Sequence, residues 1–210
     1  MPPEVVMQVE ALSNSGIKPR EILSTVRQTT DHIVLARDLY NAQNKLRLKN
    51  LAGRSPMEAL IATLQAGTFH FNYRTDAIGR VTHLFFAHPK SVELLLKYSD
   101  VLLLDCTYRT NKFKMPLLNI VGTTCLDTNF HAAFCFLSKE EEGDYVWTLE
   151  QLKKLFILGM QVHAIVTDQE ISVINACQQV FPTVDRLLCL WHVEKNVLSH
   201  VSKEFDEGKQ

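Results

Sequence analysis

The sequence predicts an α/β fold with a helical segment ahead of it. Two observations carry that prediction. From residue 101 onward, apolar runs and amphipathic stretches alternate in the order β-β-β-α-β-α-β-α. Two of those apolar runs, Val101-Leu102-Leu103-Leu104-Asp105 and His163-Ala164-Ile165-Val166-Thr167-Asp168, each end on an aspartate. A carboxylate at the tip of a buried strand is held rigidly and faces a ligand, and carboxylates suit hard divalent cations.

The elements follow in chain order. Residues 1–67 read as helical. Pro19 opens one helix with Ile22, Leu23 and Val26, and Thr30 to about Lys49 forms a second stretch with Ile33, Ala36 and Tyr40, and Leu35, Leu39 and Leu46, roughly on one side. Ser55-Pro56-Met57-Glu58 fits a capping box that starts a third helix, ending near Gly67. Two short helices joined by a turn admit two readings, a DNA-reading helix-turn-helix or a helical cap. The stretch from Asn41 to Arg54 carries Lys45, Arg47, Lys49 and Arg54 without an acid, which suits either a phosphate contact or a solvated face. Residues 68–99 hold a hairpin, with Phe69, Phe71 and Tyr73 alternating before a turn at Thr75–Gly79 and Arg80 to Ala87 returning, then a short helix from Lys90 to Tyr98.

In residues 100–210, three strands (Val101–Tyr108, Met115–Cys125, Phe130–Leu137) form an antiparallel meander. Tyr145–Leu158 is a helix, His163–Thr167 a fourth strand, Ile171–Val180 a helix, Arg186–Trp191 a fifth strand, and Glu194 onward is helical. This is the order of the ribonuclease-H-like fold, whose first and fourth strands lie side by side, so Asp105 and Asp168 are expected to meet. Trp147 and Trp191 are expected in the core, and the run Lys139-Glu140-Glu141-Glu142 in a solvated loop.

Composition is ordinary for a soluble globular chain, 46% apolar and 21% charged. The formal net charge of -1 over 210 residues makes any nucleic-acid surface a local patch. No apolar run approaches the ~20 residues of a membrane span, and the five cysteines, odd in number and mostly inside apolar runs, are expected reduced in an intracellular protein.

The residues around the two acids resemble the Mutator-like element (MULE) transposase domain. The matching stretches are Leu103-Leu104-Asp105-Cys106-Thr107-Tyr108-Arg109-Thr110-Asn111 with Met115-Pro116-Leu117-Leu118, then Tyr145-Val146-Trp147-Thr148-Leu149, Val166-Thr167-Asp168-Gln169-Glu170, and Phe181-Pro182 followed by Arg186-Leu187-Leu188-Cys189-Leu190-Trp191-His192. The plant far-red-impaired-response regulators share this pattern, and Phe85-Phe86-Ala87-His88-Pro89 is similar to fungal members. The resemblance implies a ribonuclease-H-like (DDE transposase) fold and a cut-and-paste DNA transposase. Asp105 and Asp168 match the first two acids of its catalytic triad and are expected to hold Mg²⁺ or Mn²⁺. The third acid, a glutamate, lies further downstream in the family. No residue up to Gln210 matches it, and Glu194, Glu204 and Glu207 come too early. The expectation is therefore a core truncated at its C-terminus, weak metal binding, and no activity of these 210 residues alone.

Each candidate also has a structural reading. Asp168 can cap the helix that begins near Ile171. Glu170 can reach the metal or support that helix terminus. Cys189 and His192, spaced Cys-x-x-His, suit half a zinc site or a supporting role beside the acids, and His200 and Cys177 supply no second pair. Arg109, Lys112 and Lys114 suit a DNA phosphate or an exposed turn. DNA, as transposon ends, is the expected partner, no membrane is expected, and a nuclear location follows from the substrate. Oligomeric state is left open. The alternatives to a transposase are a non-catalytic DNA-associated or transcription-regulatory protein derived from one, and a decayed product.

Overall fold

The computed structural model describes residues 1–108, 111–156 and 161–207, the last six of these by backbone alone. Its chain forms two compact units, residues 1–63 and 64–210, with the boundary inside a helix.

The first unit is helical. α1 (Pro3–Asn14), α2 (Pro19–Thr29) and α3 (Ala36–Leu51) enclose a small core of Val5, Val9, Ile22, Val26, Val34 and Leu39. Proline opens α1 and α2 at their first turns, where no amide hydrogen is needed. Gly16, at φ +75, makes the left-handed turn between them. Gln8 and Thr29 join α1 to α2 (2.9 Å), and Gln43 Nε2 donates to Ser13 Oγ (3.1 Å), joining α3 to α1. The sequence reading had placed no separate helix at α1. It also began the second helical stretch at Thr30, whereas α3 begins at Ala36, where the Asp38 carboxylate accepts the Leu35 N–H (3.2 Å). Ile33, Leu35 and Tyr40, which that reading put on the apolar side, are exposed. α4 (Pro56–Ala66) starts with the capping box: the Ser55 N–H donates to Glu58 (2.7 Å) and the Glu58 N–H to Ser55 Oγ (3.2 Å).

The second unit is a mixed α/β sheet of seven strands. β1 (His70–Thr75), β2 (Val81–Ala87), β3 (Val101–Thr107), β4 (Leu117–Thr123), β5 (Asn129–Phe136), β6 (Ala164–Thr167) and β7 (Asp185–Leu188) stand in the order β1-β2-β5-β4-β3-β6-β7. Neighbours from β1 to β3 pair antiparallel, and β3-β6 and β6-β7 pair parallel. The meander forms as expected. The hairpin β1-β2, read only as a lead-in, extends the same sheet by pairing β2 on β5, so β5 is no edge.

The helices α5 (Pro89–Leu95), α6 (Glu142–Lys153) and α7 (Ile171–Val180) share one core with the sheet. Val92 and Leu95, Tyr145, Leu149 and Leu152, and Val173, Ala176 and Val180 pack with Leu102, Leu104, Leu118, Ile120, Cys135 and Ile165. Those sheet positions alternate along their strands, so they define one face. The expected helix Tyr145–Leu158 ends at Lys153, and residues 157–158 lie outside the described residues. The expected fifth strand stops at Leu188, and α8 (Leu190–Glu207) begins where the strand had been extended to Trp191. Trp147 is buried as expected, but Trp191 is 58% exposed on α8, with Lys195 Nζ 4.7 Å over its ring.

One buried polar pair ties β2 to α6. His83 Nε2 lies 2.7 Å from Asp144 Oδ1, both side chains being nearly enclosed, and Asp144 also accepts from the Ser138 hydroxyl and the Lys139 N–H. Asp144→Ala should destabilise by about 3 kcal/mol, since it strands a buried partner. Urea unfolding checks this. At Gly122 a Cβ would meet the Phe130 ring at 2.5 Å. Gly122→Ala should cost about 1–3 kcal/mol, and that penalty should vanish in a Phe130→Ala background, measured as a double-mutant cycle.

Candidate functional site at the strand ends

The register of β3 on β6 decides where the acids go. Val101 faces Ala164, and Leu103 faces Val166, an offset of 63 residues. Continued two residues past the last paired residues and beyond the end of β6, the same offset relates Asp105 to Asp168. Asp105 is the fifth residue of β3, and Asp168 directly follows β6. Asp105 lies on the β3 face opposite the core, and both acids are half-buried, as are Leu103, Asn119, Val121 and Val166.

Across the sheet, Asp105 faces Asn119, Asn119 faces Phe134, and Phe134 faces Phe86. His131 Nδ1 lies 3.0 Å from Asn119 Oδ1, and its ring stacks on Phe134 at 5.2 Å. Asn119 and His131 were not singled out from the sequence, because only strand register sets Asn119 opposite Asp105 and brings His131 to Asn119.

Asp168 is partly committed to local structure. Its Oδ1 accepts the Glu170 N–H at 3.2 Å, an Asx-type turn leading into α7. The Cys-x-x-His segment sits beside both acids by way of the backbone. The Cys189 N–H donates to the Thr167 carbonyl (2.6 Å) and the Val193 N–H to the Cys189 carbonyl (3.1 Å), which pins the start of α8 to the end of β6. His192, in that first turn, then places Nε2 3.9 Å from Asp105 Oδ1. Its Nδ1 is buried with no hydrogen-bond partner among the described residues. No group of three or more His, Cys, Asp or Glu side chains placed to hold a metal ion occurs among the described residues.

The loop after β3 carries Lys112 and Lys114, both exposed. Lys112 Nζ lies 4.9 Å over the Phe113 ring, and Lys114 adopts φ +57. Asn111 holds this turn through the Met115 carbonyl (2.7 Å) and the Phe113 and Met115 N–H groups. Arg109 lies outside the described residues. Glu194 is exposed on α8, and the side chains of Glu204 and Glu207 lie outside the described residues.

A second polar cluster lies behind the acids, on the core side. Glu140, expected in a solvated run, is half-buried and receives the Cys106 thiol (3.3 Å) and the Tyr108 hydroxyl. The Tyr145 hydroxyl donates to Glu170 (3.3 Å). Burial, then the charges of Glu140 and Asp168, raise the Glu170 pKa above the ordinary carboxylate value. Burial and the Glu140 charge push the Cys106 thiol well above its usual range. Burial raises Cys135 and Cys177 to about 12.

These features define a class: a mixed α/β domain with one aspartate on the central strand β3 and a second directly after the neighbouring parallel strand β6. Residues 101–196 match the family model of the MULE transposase domain. It is 30% identical over 205 residues to the PKS-NRPS hybrid synthetase cheA of Chaetomium globosum, covering 93% of this chain and 4% of that one. It is 24% identical over 208 residues to FAR1-RELATED SEQUENCE 5 of Arabidopsis thaliana, covering 92% and 26%. It is 26% identical over 130 residues to FAR-RED IMPAIRED RESPONSE 1 of the same plant, covering 60% and 16%. The chain thus spans about a quarter or less of the length of these relatives. No helix among the described residues is long and apolar enough to cross a membrane.

Thiol accessibility follows from this burial. In native protein at pH 8, iodoacetamide should modify exposed Cys125 first, while Cys106, Cys135 and Cys177 stay protonated and resist. Peptide mass mapping after timed quenching checks the order.

Proposed function

We propose that the chain is part of a transposase-derived protein that acts on DNA, with a ribonuclease-H-like core and Asp105 and Asp168 as ligands for Mg²⁺ or Mn²⁺. The observation that carries this reading is the parallel pairing of β3, which bears Asp105, with β6, which Asp168 directly follows. The β5-β4-β3-β6-β7 order, three strands antiparallel and then two parallel, supports the ribonuclease-H-like assignment. The match to the MULE transposase domain supports DNA as the substrate and, with it, a nuclear location.

The donor set suits such an ion. The Asp105 carboxylate is 41% exposed, and its one ionic neighbour among the described residues is His192 at 3.9 Å, beyond hydrogen-bond reach. A divalent cation bound there would supply Lewis acidity toward a phosphate oxygen. Asp105 and Asp168 would hold it, Cys189 would fix the start of α8 through its backbone, and His192 would flank Asp105. Lys112 and Lys114, exposed on the loop after β3, would offer positive charge to a DNA phosphate.

With two acids the site binds metal weakly, and cleavage awaits a third carboxylate. The second reading is a non-catalytic, DNA-associated or regulatory protein on the same fold. The use of one Asp168 oxygen in the local turn favours it.

Mn²⁺ titration by calorimetry, with circular dichroism to confirm folding, tests the site. Asp105→Asn and Asp168→Asn should each fold normally and each weaken Mn²⁺ binding at least tenfold, about 1.4 kcal/mol. Binding that neither substitution changes would sink the metal-site reading.

A further inference from the structure

We propose that the exposed face of α3 is a docking surface for duplex DNA, with the helix lying in the major groove. The proposal shares with the preceding reading only the premise that the chain works on DNA, and it concerns a different surface in the other compact unit.

The face is built at helical spacing. Arg37, Tyr40, Asn41, Asn44, Arg47 and Leu48 fall at three- and four-residue steps along α3, and all are exposed. Leu39 is the one fully buried residue of the helix. Lys45 and Lys49 stand along one flank, also exposed. Between Leu39 and Met57 the sequence has Lys45, Arg47, Lys49 and Arg54 and no acid. Asp38, the acid on α3, is spent on the Leu35 N–H at the helix start.

Two features distinguish this from an ordinary solvated face. A solvated helix mixes acids with bases and pairs them at i,i+4. Among the described residues, the side chains of Arg37, Asn41, Asn44, Lys45, Arg47 and Lys49 make no hydrogen bond or ion pair. Tyr40 and Leu48, each 59% exposed, add apolar surface between those polar groups. Unpaired cations flanking asparagine and arginine match the two halves of a duplex target. Lysines meet phosphates, while Arg and Asn reach acceptors and donors on base edges.

The dimensions agree. Sixteen residues give a rod ~24 Å long and ~10–12 Å across, and the B-form major groove is ~12 Å wide. The helix is also held from behind: Gln43 bonds Ser13 on α1, and Arg27 Nε on α2 donates to the Val34 carbonyl (2.9 Å) just before α3. Such support presents a rigid helix, as helix-turn-helix readers do. An RNA duplex, whose major groove is deep and narrow, would not admit it.

The test uses the full chain in EDTA, so that the acids take no part through metal, and a fluorescein-labelled random-sequence DNA duplex of about 20 bp, read by anisotropy at several salt concentrations. Lys45→Ala/Lys49→Ala should weaken binding about tenfold or more and lower the salt slope by about 2. Arg37→Ala/Arg47→Ala should also weaken it by at least tenfold, with circular dichroism unchanged. Lys112→Ala/Lys114→Ala, on the other unit, should change metal-free affinity less than threefold. Loss of affinity confined to the Lys112/Lys114 variant, no DNA binding by the unaltered chain, or equal affinity for an RNA duplex of the same length would each overturn the proposal. None of these outcomes touches the Mn²⁺ result at Asp105 and Asp168, which stands or falls separately.

Discussion

The parallel pairing of β3 with β6 is the constraint on which the candidate site depends. A strand slipped by one residue turns every side chain to the opposite face, and a slip here would put one aspartate in the core and leave the other outside. β6 is only four residues long, so its ladder alone holds the register weakly. Its ends do the rest. The Asp100 carbonyl accepts the N–H groups of both His163 and Ala164 (2.9 Å each), and the Asp100 carboxylate lies 2.9 Å from His163 Nδ1. At the other end the Cys189 N–H closes on Thr167. Between them, Ile165 and Leu102 are buried together in the core. Because parallel strands cannot be joined by a tight turn, the connection must cross over the sheet. α6 makes that crossing and buries Leu149 and Leu152 against the sheet on the way.

The two faces of this strand pair impose opposite chemistry on carboxylates that are close in sequence. Asp105 and Cys106 are consecutive, so they point to opposite faces. On the core side, burial first and neighbouring charge second shift the Cys106 thiol, the Tyr145 hydroxyl and the Glu170 carboxyl toward holding their protons, and the hydrogen bond to Glu140 does the same for the exposed Tyr108 hydroxyl. On the far side Asp105 keeps contact with solvent. Glu170, only two residues beyond Asp168, faces the inner cluster through Tyr145 and so belongs to the other environment.

Most strands and the central adjacency were legible because period-two burial and turn residues are local signals. Features that depended on tertiary contact were not. Glu140 sits in a run of four charged residues that reads as solvated, and only the approach of Cys106 and Tyr108 draws it inward. Leu190 and Trp191 continue the apolar pattern of β7, but the hydrogen bond from Cys189 to Thr167 ends the strand and starts α8, which turns Trp191 into solvent. α1 had local signals, proline at its start, Val5 and Val9 four residues apart and Gly16 after its end, yet it was not separated from its neighbours. The role of Cys189 was hidden for a different reason: a Cys-x-x-His spacing draws attention to the side chains, whereas the interaction that fixes the site is made by the cysteine's amide.

The division of the chain gives the two halves of the functional argument independent physical footing. The core of the first unit, around Ile22 and Val26, and the core of the second, around Leu102 and Ile165, share no residue. Substitutions on the surface of α3 leave its buried Leu39 untouched, and substitutions at the half-exposed acids leave Leu102 and Leu104 in place. Independent sites combine additively. The size of any coupling between two sites equals the change that each makes in the other's affinity for its ligand. A DNA duplex engaged by α3 and also by the acids would be a ligand of both. Non-additivity between α3 lysines and Asp105 that arises only when DNA and Mn²⁺ are both present would then report a shared substrate.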